Sequence, residues 1–297
     1  MLDIMDYILY HKGDLPEHLK YCINSILSVD GNANVHLITD QIVKNQKINI
    51  VNIHDYGKLD FMKNFKKSLE QNNYAENPLW LTSLERIFYI EKYINDISIN
   101  QFVHFDNDVV LFQSFDFVIS KTNLDKQAFH LTPLNEENMV FGYSYINSNK
   151  TFSEVCLKTK EVVENYQFYS KRFNQNKQLN EMKILSIIKR ESNELIEPLD
   201  ILPYGNKSII FDPASYGQFL GGTHKKPKTF FRNNFATQAH SVGAELISKR
   251  IVVKFKNQVP FVKSEIGEES KLANLHIHSK KLNKFLPKNY KSYVSNF

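Results

Sequence analysis

Strand-like and helix-like segments alternate in the first part of the sequence. Residues 7–10 form a short apolar run, and a helical pattern from Pro16 to about Val29 follows it. Two further apolar runs, 35–39 and 48–53, come next. Strands that are joined through helices favour a mostly parallel sheet with helices on its faces. We therefore expect an α/β fold with a mostly parallel central sheet flanked by helices.

Bulk properties indicate a single globular domain. The chain has 297 residues, of which 42% are hydrophobic and 23% are charged, as in ordinary globular proteins. No Gly/Ser-rich or Pro-rich linker interrupts it. We expect one domain made of two halves and a basic tail: 1–132, 133–278 and 279–297. The net charge of +5 is mild; it suits an anionic substrate or a membrane surface, and we expect no nucleic-acid partner.

Several features favour a cytoplasmic protein. No run of about 18 apolar residues predicts a transmembrane helix. The N-terminus carries Asp3 and Asp6 and does not resemble a signal peptide. Cys22 and Cys156 fall in predicted helices with no metal-site spacing, which indicates reduced, partly buried thiols.

Two carboxylates stand between two apolar runs. Asp106 and Asp108 separate residues 102–105 from residues 109–112. In an extended chain, residues i and i+2 point to the same face, so both carboxylates can bind one divalent cation. Without a cation, two carboxylates about 4 Å apart repel by roughly 4 kcal/mol at an effective dielectric of about 20. The alternative is a structural turn, in which aspartates are common.

A second polar cluster lies near the end of the sequence. His276 and His278 alternate along residues 272–278, which we expect to form a last strand, and Lys280 and Lys281 follow. An imidazole can bind Mn²⁺, and the lysines would meet phosphate charge. The alternative is that both histidines are ordinary strand residues.

The helix predicted for residues 80–94 carries Arg86. No acidic residue lies three or four positions from it, so the usual local ion pair is not available. A guanidinium forms paired hydrogen bonds with a carboxylate or a phosphate, although a solvated arginine is the alternative. The apolar stripe of this helix places Glu85 and Lys92 on the solvent side.

Residues 211–224 combine helix signals with glycines. Asp212 followed by a proline is typical of a helix start, and Gly221 with Gly222 is typical of a helix end. These signals do not account for Gly217, which falls inside so short a helix.

Asp106-Asn107-Asp108 resembles the DxD motif of GT-A-fold glycosyltransferases, which holds Mn²⁺ or Mg²⁺ against the diphosphate of a sugar nucleotide. Residues 211–222 resemble Phe-Asp-x-x-x-x-Gly-Gln-Tyr-Leu-Gly-Gly, a motif of bacterial and viral surface-glycan glycosyltransferases, with Phe219 at the tyrosine position. The chain order of a βαβ half, a DxD motif and a late His/Lys segment is also that of this family. The resemblance covers nearly the whole chain, and residues 133–205 only loosely.

The resemblance implies a GT-A-like fold with a Rossmann-like nucleotide-binding half. It implies metal-dependent transfer of a sugar from a nucleoside-diphosphate sugar, with UDP favoured over GDP, to a hydroxyl of a glycan or glycolipid, as in polysaccharide biosynthesis. The implied metal ligands are Asp106, Asp108 and one late histidine, either His276 or His278. We favour His278 because it adjoins Ser279 and Lys280.

The resemblance also implies roles for other residues. Asp212 is the expected catalytic base. The loop after the first strand is expected to hold the base and ribose, although a simple turn with Gly13 at positive φ is the alternative. The expected donor-binding residues are Tyr10, His11, Asp40, Arg86, Asp106, Gln218, Gly221, Gly222 and Lys280.

Two other classes of function stay open. A metal-dependent nucleotidyltransferase would need a Gly-rich, basic phosphate loop, which residues 11–14 match poorly. A non-catalytic carbohydrate-binding protein on a GT-A fold is the other. The tail of lysines and aromatic residues after Ser279 is either packed on the domain or in peripheral contact with an anionic membrane face.

Overall fold

The computed structural model describes residues 4–56, 78–124, 126–175, 178–223 and 236–295. The sequence pattern of residues 58–72 is basic and predicts a helix, but this segment lies outside the described ranges. The strands are β1 (Asp6–His11), β2 (Asn34–Thr39), β3 (Asn49–Asn52), β4 (Phe102–His104), β5 (Val109–Leu111), β6 (Phe129–Asn135), β7 (Asn138–Ile146), β8 (Ile196–Pro198), β9 (Ile209–Ile210), β10 (Ile251–Lys256), β11 (Val259–Ser264), β12 (Glu269–Leu272) and β13 (Asn274–His276).

Eight α-helices lie in the described ranges: α1 (Glu17–Val29), α2 (Pro78–Asp96), α3 (Phe115–Lys121), α4 (Asn149–Glu164), α5 (Tyr166–Asn174), α6 (Glu181–Glu191), α7 (Ser215–Gly221) and α8 (Ser241–Ile247). Short 3-10 helices span Ile53–Tyr56 and Leu282–Lys284. Of the described helices, none is both long enough and apolar enough to cross a bilayer.

The central sheet has seven strands in the order β3-β2-β1-β4-β7-β6-β8. Neighbours from β3 to β4 are parallel. Strand β7 runs antiparallel to both β4 and β6, and β8 is parallel to β6. The predicted α/β class with a mostly parallel central sheet is therefore confirmed. Strands from both predicted halves share this sheet, and residue 132 falls within β6.

Two apolar cores cover the two faces of the central sheet. Alternate residues of β1 enter different cores, because successive side chains of a strand point to opposite faces. Tyr7 and Leu9 pack with α1, β5 and β13, whereas Ile8 and Tyr10 pack with α2, α4 and α6. Helices therefore flank the sheet, and α1 and α2 stand on opposite sides of the β1 carboxyl end.

A smaller sheet has the order β10-β11-β12-β9. In the sequence, residues 251–255 and 259–262 predict a hairpin, and Pro260 predicts that its second strand lies at a sheet edge. The hairpin is present as β10 and β11. The prediction that Pro260 marks an edge strand is wrong, because β11 lies between β10 and β12. Pairing with β12 begins only at Phe261, so the proline occupies a part of β11 that has one neighbour and its missing N–H interrupts no second ladder.

Strand β13 pairs antiparallel with β5, with His276 opposite Val109 and Asn274 opposite Leu111. The single strand predicted for residues 272–278 is thus divided between β12, which joins the small sheet, and β13, which joins β5. This division brings His276 beside the residues that precede β5.

Candidate active site

Asp106 and Asp108 lie in a turn that links β4 to β5. The amide of Val109 donates to the carbonyl of Asp106 at 3.2 Å, and the amide of Asp106 donates to Phe141 at 3.1 Å. The predicted extended conformation is therefore wrong at this point. Both carboxylates of the turn are nevertheless close to the late histidine, because the pairing of β5 with β13 places that histidine beside the turn.

Asp106, Asp108 and His276 form a cluster whose ligand atoms all lie within 4.8 Å of one another. The Nε2 atom of His276 is 3.0 Å from Oδ1 of Asp108 and 3.7 Å from Oδ2 of Asp106. His278 packs its ring edge against His276 with centroids 4.9 Å apart. The geometry thus favours His276 as the late metal ligand over His278, the residue preferred from the sequence. The pairing of β13 with β5 places the His276 imidazole beside the turn, whereas the preference for His278 rested on its adjacency to Lys280 and stays a prediction.

Basic groups surround the two carboxylates. Arg86 donates from Nη1 to Asp106, and Lys280 donates from Nζ to Asp108. Burial alone would raise the pKa of Asp108, but the charges of His276 and Lys280 outweigh it and hold that pKa well below its ordinary value. Burial likewise opposes the effect of Arg86 on Asp106, whose pKa is nevertheless lowered. Both carboxylates are therefore ionised and available as ligands near neutral pH.

The cluster fits a divalent cation by its donor chemistry. Asp108 is 2% exposed and His276 is 3% exposed, so one carboxylate and the imidazole are held where water is scarce, whereas the side chain of Asp106 is 26% exposed. Two hard oxygen donors and one imidazole suit Mn²⁺, and the oxygens alone suit Mg²⁺. When a cation binds, the basic side chains that now pair with the carboxylates, Arg86 and Lys280, would either move away or share the carboxylates with the cation.

Glu181 at the start of α6 extends this charge network. Its two carboxylate oxygens accept from Nη2 of Arg86 at 2.9 and 3.0 Å. The guanidinium therefore bridges Glu181 and Asp106 while it packs over the ring of Phe141, 4.4 Å from its centroid. Burial raises the pKa of Glu181 to about 7 in spite of Arg86. The expectation that Arg86 reaches the DxD carboxylates agrees with this geometry, and its second acidic partner comes from a distant helix.

A pocket of about 720 Å³ opens above the cluster. Of the residues predicted for the site, those that line it are Tyr10, His11, Arg86, Asp106, Asp108, His276, His278 and Lys280. Among the described lining residues, Asp40, Asp212, Gln218, Gly221 and Gly222 are absent. The pocket thus joins the β1 loop, the DxD turn and the late segment.

The loop after β1 forms one wall of the pocket. Asn107 donates to the carbonyl of Tyr10 at 3.0 Å and contacts Nδ1 of His11 at 2.9 Å. Asp40 accepts from the amide of Gly13 at 2.9 Å, where φ is +93°. Asp40 therefore stabilises this loop through a hydrogen bond to its backbone. Among the described residues, no hydrogen-bond partner exists for the buried hydroxyl of Tyr10 or the buried amide oxygen of Asn107.

Asp212 is buried beneath the cluster rather than in the pocket. Its carboxylate accepts from the amides of Tyr216 at 2.9 Å, Gly217 at 2.7 Å and His276 at 2.9 Å. With 0% exposure and three backbone donors, it is built to hold α7 against β13. The predicted N-cap is wrong by two residues, because Ala214 at φ +78° precedes the helix. The predicted role as base stays a prediction that this geometry disfavours.

Helix α7 explains the glycines of residues 211–222. A Cβ on Gly217 would collide with the carbonyl oxygen of His276, so only glycine lets α7 approach β13. A Cβ on Gly221 would meet Ser279 Oγ at 3.3 Å. Gly222 ends the helix at φ +79°, as the sequence predicts. Gly217 and Gly221 therefore let α7 pack closely against the late segment, whereas the carbonyl of Gln218 accepts from the amide of Gly222 at 2.9 Å.

Sequence reasoning missed several lining residues, and one assignment was reversed. Glu85, expected on the solvent side, is 6% exposed and pairs with Lys12 at 2.7 Å. The missed lining residues are Lys12, Pro16, His18, Leu79, Trp80, Thr82, Ser83, Asn107, Val140, Asn180, Glu181 and Met182. The sequence does contain a signal for some of these residues. In α2, Thr82, Ser83 and Arg86 recur at helical spacing and form a polar strip beside the apolar stripe.

Comparisons with known proteins give structural neighbours only. No family model and no curated protein matches the sequence. One similar solved structure is mouse xyloside xylosyltransferase 1 in its apo form, at 10% identity over 67% of this chain and 86% of that chain, with a TM-score of 0.47. Another is galactosyltransferase LgtC in complex with donor and acceptor sugar analogues, at 13% identity over 78% and 84%, with a TM-score of 0.46.

A third is the apo form of glycosyltransferase GlyE of Streptococcus pneumoniae, at 8% identity over 64% of this chain, with a TM-score of 0.39. This chain covers 44% of that chain. These neighbours are glycosyltransferases, and the likeness concerns the fold. The activity of this chain has to be inferred from its own residues.

Proposed function

We propose that this chain is a metal-dependent glycosyltransferase that moves a sugar from a nucleoside-diphosphate sugar to a hydroxyl of a glycan or glycolipid. The observation that carries the proposal is the convergence of Asp106, Asp108 and His276 at the floor of one pocket. Arg86 and Lys280 add positive charge at the same place. Such a mixture of carboxylates and cationic groups suits a divalent cation that is bound together with a diphosphate.

In this proposal, Asp106, Asp108 and His276 would hold Mn²⁺ or Mg²⁺, which when bound neutralises charge on the leaving nucleoside diphosphate. Lys280, which is 42% exposed, can leave Asp108 for a phosphate oxygen. The unsatisfied atoms of Tyr10 and Asn107 lie in the pocket wall beside the β1 loop. We assign that wall to the base and ribose of the donor.

The proposed reaction exchanges one bond at the anomeric carbon for another. The bond from that carbon to the diphosphate oxygen breaks, the bond to the acceptor oxygen forms, and the acceptor proton leaves with the released nucleoside diphosphate. Glu181 holds Arg86 beside the reacting end of the pocket. We propose that Asp212 contributes by fixing the backbone of His276.

The test is product analysis with a panel of UDP-sugars and GDP-sugars, in which we expect UDP-sugars to be the better donors. The protein should release nucleoside diphosphate in the presence of Mn²⁺ or Mg²⁺ and stop when EDTA removes the ion. Release of pyrophosphate instead would identify a nucleotidyltransferase. Sugar-nucleotide binding without turnover for any donor and acceptor would favour a non-catalytic carbohydrate-binding protein. Turnover that EDTA leaves unchanged would refute the metal site.

We also propose peripheral contact of the tail with an anionic membrane, as a cytoplasmic enzyme with a lipid-linked acceptor would use. Lys284, Lys288 and Lys291 are exposed, whereas Leu282 and Val294 pack inward. Contact would therefore be electrostatic. Co-sedimentation with anionic vesicles at low salt should weaken when these three lysines are replaced by glutamine. Equal sedimentation of both proteins, or none at low salt, would exclude the contact.

A further inference from the structure

The pocket has chemically distinct ends, and α2 connects them. Leu79, Thr82, Ser83 and Arg86 all line it, at the i, i+3, i+4 and i+7 spacing of one helix face. The face changes from an aliphatic residue through two hydroxyls to a guanidinium. Seven residues of helix span about 10 Å, so the apolar end lies about that far from the group that pairs with Asp106.

The exposed fraction of the side chains on this face of α2 decreases in the same direction, from Leu79 to Arg86. Leu79 is 69% exposed, whereas the side chain of Arg86 is 11% exposed. The guanidinium thus marks the floor of the pocket and the leucine marks its mouth. Trp80 lies next to Leu79 and also lines the pocket, as do Val140 and Met182. The mouth therefore presents the apolar side chains of Leu79 and Trp80, which have no use in binding a diphosphate.

An indole beside aliphatic side chains at a pocket mouth favours an amphipathic ligand. Trp and Leu contribute mainly through the apolar area that they bury, and a few polar groups deeper in a pocket set the orientation of the ligand. A sugar hydroxyl at the Arg86 end and an apolar group at the Leu79 end would match both halves of the wall.

Resting on the proposed function, we propose that the acceptor is a glycoside with an apolar aglycone, which packs on Leu79 and Trp80 while its sugar faces Arg86 and Glu181. The aglycone contributes to affinity, so acceptors with longer alkyl aglycones bind more tightly. The acceptor class is thus a glycolipid-like glycoside rather than a free polar glycan.

Trp80 is the only tryptophan of the chain, so intrinsic fluorescence reports on this wall directly. The probes are matched methyl and octyl glycosides of glucose, galactose, mannose and N-acetylglucosamine, titrated below the critical micelle concentration of the octyl compounds. At least one octyl glycoside should bind about tenfold more tightly than its methyl partner and shift the emission to shorter wavelength. Tenfold is about 1.4 kcal/mol, which corresponds to about 55 Å² of buried apolar surface.

Two leucine variants separate this wall from general detergent binding. Leu79→Ser should remove the octyl advantage. Leu157→Ser on α4, a leucine that is 65% exposed and outside the described pocket lining, should leave it unchanged. Both leucines are exposed, so equal melting temperatures are expected and serve as a folding check. With turnover as a second readout, Trp80→Ala should raise the KM for an octyl acceptor about tenfold more than the KM for its methyl partner.

Equal affinity of methyl and octyl partners across all four sugars would overturn the inference, as would an octyl advantage that persists in Leu79→Ser. Metal-dependent cleavage of the donor without acceptor is measured on the same preparations. If the donor is cleaved and the chain-length effect is absent, only this acceptor assignment fails. If no donor is cleaved and octyl glycosides still bind through Leu79, the proposed transferase activity fails and the amphipathic glycoside site remains.

Discussion

At the scale of single residues, Asp108 carries the largest share of the proposed chemistry. Asp108→Asn keeps the shape of the side chain and an oxygen that can accept from Lys280 or His276, so the fold should persist. Turnover should fall by about a hundredfold or more, because the stabilisation that a metal gives to a leaving group is worth several kcal/mol. Initial rates at saturating donor and Mn²⁺ measure the loss. Asp55→Asn, at an exposed aspartate, is the matched control, and near-full turnover in Asp108→Asn would contradict the metal assignment.

Glu181 acts through Arg86, which it holds against Asp106. Glu181→Gln weakens the interaction with Arg86 because it removes the negative charge, and it keeps a side chain of nearly the same size. We expect the Mn²⁺ concentration for half-maximal rate to rise about tenfold, since partners that orient a metal ligand typically affect metal affinity by about 10–100-fold. Saturating Mn²⁺ should restore most of the rate, which a general loss of stability would not allow. Glu191→Gln on the same helix, whose partner Arg172 is exposed, should leave metal affinity as it was.

At the scale of elements, α7 is held close to β13 because Gly217 has no side chain. Gly217→Ala would push the helix away from the His276 carbonyl and should destabilise the fold by about 1–3 kcal/mol, as overpacking does. Turnover should fall as well, because His276 moves with β13. Denaturant unfolding and initial rates test both effects. Gly31→Ala is the control, since its new methyl would meet only the Leu27 carbonyl at 3.9 Å. Equal stabilities of the two variants would contradict this account of the packing.

Elements also show what sequence could and could not predict. The β1–α1–β2 unit follows local apolar periodicity, and its predicted bounds match the structure closely. The DxD residues were identifiable because apolar runs flank them on both sides, and Arg86 because no acidic residue lies three or four positions from it. The choice of His276 over His278 and the pairing of Glu181 with Arg86 depend on strand register and helix packing between distant segments, which no local pattern encodes.

At the scale of the whole molecule, the tail is part of the fold. Buried Asn24 of α1 donates to the Val294 carbonyl at 2.8 Å and accepts from the amides of Tyr293 and Val294 at 2.9 and 2.7 Å. Removing residues 288–297 deletes these bonds and the buried Val294 side chain. We expect a loss of about 4–6 kcal/mol, from about 1 kcal/mol for each of the three hydrogen bonds and about 1.5–3 kcal/mol for the burial of one valine.

Thermal or urea unfolding measures this loss. A chain that ends at residue 295 keeps every one of these contacts and serves as the control for shortening the chain. If the variant that lacks residues 288–297 unfolds like the full chain, the tail is dispensable for stability. The point substitutions of exposed tail lysines are for this reason the cleaner probe of membrane contact.

The pairing of Asp108 with Lys280 spans 172 positions of the chain. At roughly 5–20 residues per second, a ribosome needs roughly 9–34 s to travel between the two codons. During that time the nascent polypeptide displays its acidic turn without the histidine and lysine that complete it. The proposed site can therefore be completed only after Lys280 has been translated, and a product that stops before this residue should lack the proposed activity even if its parallel strands had already folded.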